Sequence, residues 1–194
     1  MAVVTVPTQA LPSDEALLQR FAAGDRRALD ELFRRFRQPA YRVAYRLLGH
    51  EADALDAVQD GFVKVLTNVS TFEGRSSFKT WLLRVVSNSA LDIGRSRSRR
   101  ETLGTVDPIE VGEGPLVWDD PAAGLERGDL RRIIDAALAT LPEAQRQTFV
   151  LHADAELSYR EIAETMDVSI GTVMSRLFYA RQKLRAALQP QMQP

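Results

Sequence analysis

Residues 78–100, FKTWLLRVVSNSALDIGRSRSRR, have two chemically different faces when they are placed on a helix. At 100° per residue, the apolar positions share one broad side, as in a helix packed against a core: Phe78, Leu82, Val85, Val86, Ala90 and Ile93. Polar positions lie within about 80° of one another on the opposite side: Arg84, Asn88, Asp92, Arg95 and Arg99. Trp81 lies at the edge of this polar stripe, where its ring can be both supported and exposed. A helix that only fills a core does not need such a second face, so we interpret the polar side as a surface for unpaired nucleic acid.

The composition limits the classes of protein that this chain can represent. With 194 residues, of which 45% are hydrophobic and 26% charged, the chain has room for one domain or two small ones. It has no cysteine and only two isolated histidines, His50 and His152, so we predict no disulfide, no metal site and no cofactor. No run of 18 apolar residues and no signal-peptide pattern is present, which predicts a cytoplasmic protein without a membrane segment.

The charge is distributed in blocks, although the net charge of the whole chain is only −1. Residues 75–100 carry a net charge of +6, residues 101–122 a net charge of −6, and residues 169–188 a net charge of +4. Two basic segments separated by an acidic one indicate two anion-binding surfaces on one chain.

The hydrophobic pattern is helical in the first half of the chain. Ser13 can cap a short helix that ends at Gly24, and helical spacing then runs from Asp25 to Gly49, where Pro39 is expected to kink or break it. A third helix is predicted over residues 51–68, ahead of the helix at 78–100.

The second half of the chain is also predicted to be helical. Ser158 and Glu161 have capping-box spacing, and Ser169 can cap a last helix that reaches about Leu188. No strand-like alternation occurs, so the predicted fold is all-α, with two small helical domains at 13–100 and 124–188. An acidic flexible linker at 101–123 joins these domains, and residues 1–12 and 189–194 are predicted to be tails.

The end of the chain has the arrangement of a helix-turn-helix, in which a short helix, a three-residue turn and a longer helix follow one another. Ser169 begins the second helix, and the side chains predicted to lie outward or near its edges could reach phosphates and base edges: Thr172, Met174, Ser175, Arg176, Phe178, Tyr179 and Arg181. An ordinary αα-hairpin is the alternative, but four cations and no acid in 169–188 favour a surface for DNA.

Residues in and next to the predicted helix at 78–100 have the side chains that bind single strands, which are held by aromatic stacking along a basic track. Phe72, Phe78 and Trp81 could provide apolar walls, and Asn88 could read a base edge. Phosphates could be held by Arg84, Arg95, Arg97, Arg99 and Arg100. Asp92 has two equally open interpretations, as an acceptor for a base amine or as a helix partner of Asn88.

The third predicted helix has an acidic face formed by Asp53, Asp56, Gln59 and Asp60. Taken by itself, this face is most simply a solvated surface.

Three segments together resemble bacterial RNA polymerase sigma factors of the extracytoplasmic-function (ECF) type, in the sigma-70 family. They are GHEADALDAVQDGF (49–62), TFEGRSSFKTWLLRVVSNSALD (71–92) and LPEAQRQTFVLHADAELSYREIAETMDVSIGTVMSRLFYARQKL (141–184). The resemblance implies a sigma-2 domain for core polymerase binding and −10 recognition, and a sigma-4 domain for −35 recognition. It also implies a promoter-specificity subunit that is not itself an enzyme.

The resemblance also implies partners and residue roles. Asp56, Gln59 and Asp60 match a family contact to the β′ clamp coiled coil, and sigma-4 would hold the β flap. The 72–81 segment, with Arg75, Ser76 and Lys79, would form a pocket for a flipped base of the −10 element, and the last helix would enter the major groove of the −35 element. An anti-sigma factor stays open as a further partner.

Several residues depart from the family pattern. Met174 stands where many relatives have Lys or Arg, and Tyr179 where Arg or His is common, which predicts an unusual −35 sequence. Asp167 replaces the usual turn glycine, which Asp tolerates because it visits the left-handed region more readily than most residues. Glu156 also replaces a common glycine.

Two other functions are alternatives to a sigma factor. A stand-alone helix-turn-helix regulator would explain residues 142–188 but would leave Trp81, Asn88 and the arginines without a role. A sigma-like decoy for anti-sigma factors should lose the DNA-contacting side chains, which this chain keeps.

Overall fold

A computed structural model describes residues 12–69, 72, 74, 76–102 and 125–189, with side chains in the last range from residue 130 onward. Every regular element longer than a single turn in this part of the chain is an α-helix, which confirms the all-α prediction. The helices are α1 (Asp14–Ala22), α2 (Arg26–Leu48), α3 (Glu51–Thr67), α4 (Phe78–Thr102), α5 (Leu125–Ala139), α6 (Glu143–Ala153), α7 (Tyr159–Met166) and α8 (Ile170–Leu188). Nearly all residues of the predicted tails and of the predicted linker lie outside the described residues, and α4 continues two residues past its predicted end.

Helices α1–α4 form an N-terminal bundle in which α2, α3 and α4 pack against one another and α1 packs on α2. The predicted caps are present: Ser13 accepts a hydrogen bond from the backbone N–H of Ala16 at 3.2 Å, and Gly49 ends α2 in the left-handed region with φ +65°. A side-chain cap satisfies one of the free N–H groups of the first turn, and a left-handed residue closes the last turn.

Pro39 was expected to kink or break the second helix, and a break is wrong, because α2 runs through this residue as one helix. Phe36 and Ala40 on either side of the proline are buried in the core. This burial holds the helix together where proline removes one backbone hydrogen bond.

Gly61 lets α3 and α4 approach closely. A Cβ atom at this position would lie 2.5 Å from Cγ2 and 3.2 Å from Cα of Val86, which is itself fully buried on α4. The two helices therefore pack at a distance that only glycine permits at residue 61.

We predict that Gly61→Ala lowers the free energy of unfolding by about 1–3 kcal/mol, since α3 and α4 must separate to admit the methyl group. Urea unfolding followed by far-UV circular dichroism measures this change. Gly171→Ala is the matched control, because its Cβ would meet only the Ser169 hydroxyl, at 3.7 Å. This control should be neutral or gain up to about 1 kcal/mol from helix propensity; equal loss in both variants would contradict the close packing.

Helices α5–α8 form a C-terminal bundle in which α8 packs on α5, α6 and α7. The predicted capping box is present, with Ser158 and Glu161 each accepting from the other's backbone N–H at 3.3 and 2.9 Å. Asp167 has φ +52°, the left-handed conformation expected of it, and Glu156 shares this conformation with φ +57°.

The two bundles contact each other directly. Buried residues of α2 and α4 belong to the same core as Val150 and Leu151 of α6 and Ile162 of α7. Arg46 on α2 pairs with Asp135 on α5 and, at 3.6 Å, with Asp154 at the end of α6. Burial raises the pKa of Asp154, and the Arg46 guanidinium acts against that increase. The predicted domains therefore share an interface in this structure.

Candidate nucleic-acid interface

The polar stripe predicted on α4 faces solvent over much of its length. Arg84, Asn88 and Asp92 are exposed, while Leu82 and Val86 on the other side are fully buried. Lys79 and Ser76 are partly exposed at the start of the same surface, and Arg75 lies outside the described residues. Arg97 binds Asp53 and the Leu48 carbonyl instead of facing outward.

An aromatic pair stands at the amino-terminal end of this stripe. The rings of Phe72 and Trp81 stack with 4.9 Å between centroids and 28° between planes, and both are partly exposed. Phe78 contacts Trp81 by its edge at 6.2 Å but is only 1% exposed and also packs against Phe36. The prediction that Phe78 is an open wall for a base is therefore wrong here, because this ring belongs to the core and supports Trp81 from below.

Arg95 is an exposed member of the stripe, but acidic groups already hold it. Its guanidinium hydrogen-bonds Glu143 at the start of α6 at 2.6 Å and approaches Asp92 at 3.4 Å. The hydrogen bond to Glu143 raises the pKa of Arg95. In this arrangement Arg95 joins the two bundles. It can bind a phosphate only if the phosphate displaces the Glu143 carboxylate from its guanidinium.

The acidic face of α3 divides into two exposed and two engaged residues. Asp56 and Gln59 are exposed. Asp53 pairs with Arg97 of α4 at 2.5 Å, and Asp60 accepts a hydrogen bond from Ser89 of α4 at 2.7 Å. Hydrogen bonds from Lys64 and Ser89 hold the pKa of Asp60 below its usual range. Asp53 and Asp60 thus fix α3 to α4, whereas Asp56 and Gln59 are available to a partner.

The C-terminal bundle contains the predicted helix-turn-helix, with α7 and α8 separated by residues 167–169. Ser169 caps α8 by accepting from the Thr172 N–H at 3.1 Å, as predicted. Thr172 and Arg176 are partly exposed, and the outer side chains are exposed: Met174, Ser175, Phe178, Tyr179 and Arg181. Val173, Leu177, Ala180 and Leu184 form the buried side of the helix. The candidate −35 residues therefore lie on the open side of α8.

Sequence reasoning missed the polar residues of α4 that bind the C-terminal bundle. Thr80 donates a hydrogen bond to Glu161 of α7 at 2.9 Å, and Gln147 of α6 donates to Ser87 at 3.3 Å. Leu83 and Leu91, which lie beside the predicted inward face, are buried as well. The sequence did contain a signal for this second contact: Leu83 and Leu91 add apolar positions beside the predicted inward face. A helix that is buried on only one side does not require them.

The described residues contain no cluster of three or more acidic, histidine or cysteine side chains arranged to hold a metal ion. His50 instead caps α3, where Nδ1 accepts from the Asp53 N–H at 3.3 Å, and His152 packs edge-on against Tyr159. Among the helices that the structure describes, none is long and apolar enough to cross a membrane.

Comparison with known proteins assigns the family. Residues 32–100 match the family model of Sigma-70 region 2, and residues 131–184 match that of Sigma-70, region 4. Together these segments contain α3, α4 and the helix-turn-helix. The chain belongs to the ECF sigma factors, the sigma-70 family proteins that direct RNA polymerase to promoters for transcription initiation.

Individual relatives extend over almost the whole chain. The ECF RNA polymerase sigma-E factor of Haemophilus influenzae is 31% identical over 93% of this chain and 97% of its own length. The RNA polymerase sigma-H factor of Pseudomonas aeruginosa is 31% identical over 91% of this chain and 94% of its own. The sigma-E factor of Escherichia coli K12 is 32% identical over 92% of this chain and 95% of its own.

Two solved structures share the arrangement of helices. CnrH, in complex with the cytosolic domain of CnrY, superposes with a TM-score of 0.70 and 26% identity, over 92% of this chain and 99% of that one. The sigma factor RpoE of Bartonella quintana, in complex with the anti-sigma factor NepR, has a TM-score of 0.62 and 25% identity. The match covers 82% of this chain and 97% of that one.

Proposed function

We propose that this sigma factor divides promoter recognition between α4 and α8 and docks on core RNA polymerase through α3. The exposed polar stripe and aromatic pair of α4 capture the unpaired −10 element, and α8 reads the −35 duplex. The chain supplies specificity and no catalysis, and it acts in the cytoplasm. The observation that carries this proposal is the presence of two exposed nucleic-acid-type surfaces, one in each segment that matches a sigma-70 region.

The α4 surface suits single-stranded DNA because it combines a stacking platform with polar groups. The Phe72–Trp81 pair offers a π-face at one end of the stripe. A base stacked on an aromatic side chain gains about 1–3 kcal/mol. Asn88, two turns further along, has both a donor and an acceptor for a base edge. Arg84 is exposed between them and can contact the backbone.

The α8 surface suits duplex DNA because a positively charged helix with an exposed amino-terminal half fits the major groove. Arg181 is exposed beside the candidate base-contacting residues, and Arg176 is partly exposed on the other side. No ion pair joins either guanidinium to an acid in the part of the chain that the structure describes.

For docking on the polymerase, we propose Asp56 and Gln59 as the contacting residues of α3. Asp53 and Asp60 act as positioning residues, since their bonds to Arg97 and Ser89 set the direction of the helix face. A protein inhibitor is also a proposed partner, because the related RpoE structure is a complex with the anti-sigma factor NepR.

Transcription in vitro tests the proposed function directly. The full chain is added to core polymerase with a library of promoter templates, and transcripts are sequenced. We expect initiation from a defined subset of templates, sharing two elements, that requires both the chain and the core enzyme. A stand-alone regulator would bind duplex DNA without core enzyme and would start no transcript; that result would overturn the proposal.

A further inference from the structure

The recognition helix α8 exposes an unusual amount of apolar surface. Four large hydrophobic residues of this helix are exposed to solvent. The exposed fractions are 47% for Ile170, 56% for Met174, 63% for Phe178 and 53% for Tyr179. They cannot belong to the core, because the opposite side of α8 provides the buried residues. Met174 and Phe178 are one turn apart and line a groove with Tyr159 of α7.

The hydroxyl groups nearest to this apolar surface are already engaged. Ser175 Oγ donates to the Thr172 carbonyl at 3.0 Å, and the hydroxyls of Ser169 and Thr172 bond each other at 2.9 Å. Such local bonds use the donor hydrogen of a hydroxyl group. Of the outward side chains at the amino-terminal half of α8, the two that line this groove are apolar, Met174 and Phe178.

Cations border the same surface. Arg181 and Arg185 line the groove together with Met174 and Phe178, and Lys183 lies further round the helix. Residues 169–188 contain no acid. The apolar strip therefore continues into cations on the same side of α8, which suits a helix that contacts base edges with one part of this side and phosphates with the other.

The direct-readout code then indicates which bases fit. Arg and Lys pair with guanine, Asn and Gln pair with adenine, and apolar side chains contact the 5-methyl group of thymine. Positions 174 and 178 carry none of the four hydrogen-bonding side chains. Met174 in particular can adapt its unbranched side chain to a methyl group.

We propose that Met174 and Phe178 read thymine methyl groups, so that this sigma factor selects a −35 duplex with thymines at the bases facing them. This inference rests on the proposed function of α8 and specifies the base chemistry that it recognises. A protein partner seated on the same groove is the competing occupant, and the charge of the surroundings favours DNA.

Deoxyuridine substitution tests the proposal without altering the protein. A −35 duplex is selected from a random library with holoenzyme, and its thymines are replaced one by one with deoxyuridine, which lacks only the methyl group. Holoenzyme binding at fixed salt should weaken about fourfold at each thymine whose methyl is buried, the equivalent of about 0.8 kcal/mol. The variants Met174→Ala and Phe178→Ala should each lose this effect at one thymine, the one that the replaced side chain contacts. At that position, the affinities of the variant holoenzyme for the thymine duplex and the deoxyuridine duplex should agree within about twofold.

The control variant is Arg181→Ala, which should weaken thymine and deoxyuridine duplexes equally and reduce the salt dependence of binding. Sequence-specific binding that is indifferent to the methyl groups would overturn the inference and leave the proposed function standing. A Phe178→Ala variant that keeps the methyl effect but loses core polymerase would also overturn it, in favour of a protein occupant. If the holoenzyme selects no duplex at all, the proposed function itself fails.

Discussion

The combined substitution Asp56→Arg with Gln59→Ala is expected to weaken binding of this chain to core RNA polymerase by about 2–5 kcal/mol. Both side chains are exposed on α3, so the polymerase can reach them without rearrangement of the bundle. Replacing a carboxylate by a guanidinium at a contact turns an attraction into a repulsion, and the loss of the Gln59 amide removes a hydrogen-bonding group. Retention of the labelled chain on immobilised core enzyme, titrated over concentration, measures the change.

Asp30→Arg is the matched control for this experiment, because Asp30 is exposed on α2 and the substitution changes the charge by the same amount. It should leave polymerase affinity within about twofold. If the Asp56→Arg, Gln59→Ala variant is retained as well as the parent chain, this face of α3 is only a solvated surface and does not contact the polymerase. Asp53→Ala should act differently: it removes the 2.5 Å pair with Arg97 and should lower the stability of the fold.

Local signals in the sequence predicted the individual helices well. Serines 13, 158 and 169 cap helices as their spacing indicated, and Gly49 ends α2. These signals are local because each cap satisfies backbone groups within three or four residues of itself. The helix-turn-helix followed from the same kind of signal, with Asp167 in the left-handed turn between its helices.

Long-range packing was less accessible to sequence reasoning. The local chemistry of Pro39 allowed a break in α2, but the helix is continuous there, with Phe36 and Ala40 buried on either side of the proline. Phe78 was assigned both to the core-facing side of its helix and to the apolar walls for a base, and its packing against Phe36 places it in the core. Propensity describes what a segment prefers in isolation, whereas these outcomes depend on neighbours brought together by the fold.

The contact between the two bundles has a consequence for the candidate −10 surface. Thr80, Ser87 and Arg95 on α4 bind Glu161, Gln147 and Glu143 of the C-terminal bundle, on one side of the exposed stripe. Arg84 and Asn88 stay exposed in the same arrangement. The surface for unpaired bases is therefore partly available in this structure, and Arg95 becomes available to phosphate only when its pair with Glu143 opens.

The double substitution Trp81→Ala with Asn88→Ala should reduce promoter opening by about 2–4 kcal/mol, or roughly thirty- to several-hundred-fold, while polymerase retention stays unchanged. Loss of the ring removes the stacking face, and loss of the amide removes a hydrogen-bonding partner for a base edge. Permanganate reactivity of thymines in the −10 element measures opening at saturating holoenzyme.

Trp81 also touches Phe72 and Phe78, so its removal alone could disturb the aromatic cluster. Asn88→Ala avoids this difficulty because Asn88 is exposed, and it should still reduce opening by itself. Phe178→Ala is the matched aromatic control: Phe178 is exposed on α8, so its loss should weaken duplex binding but leave opening intact once the promoter is saturated. Equal permanganate reactivity for Asn88→Ala, the double variant and the parent chain would show that α4 does not hold the opened strand, whatever the contribution of α8 to finding the promoter.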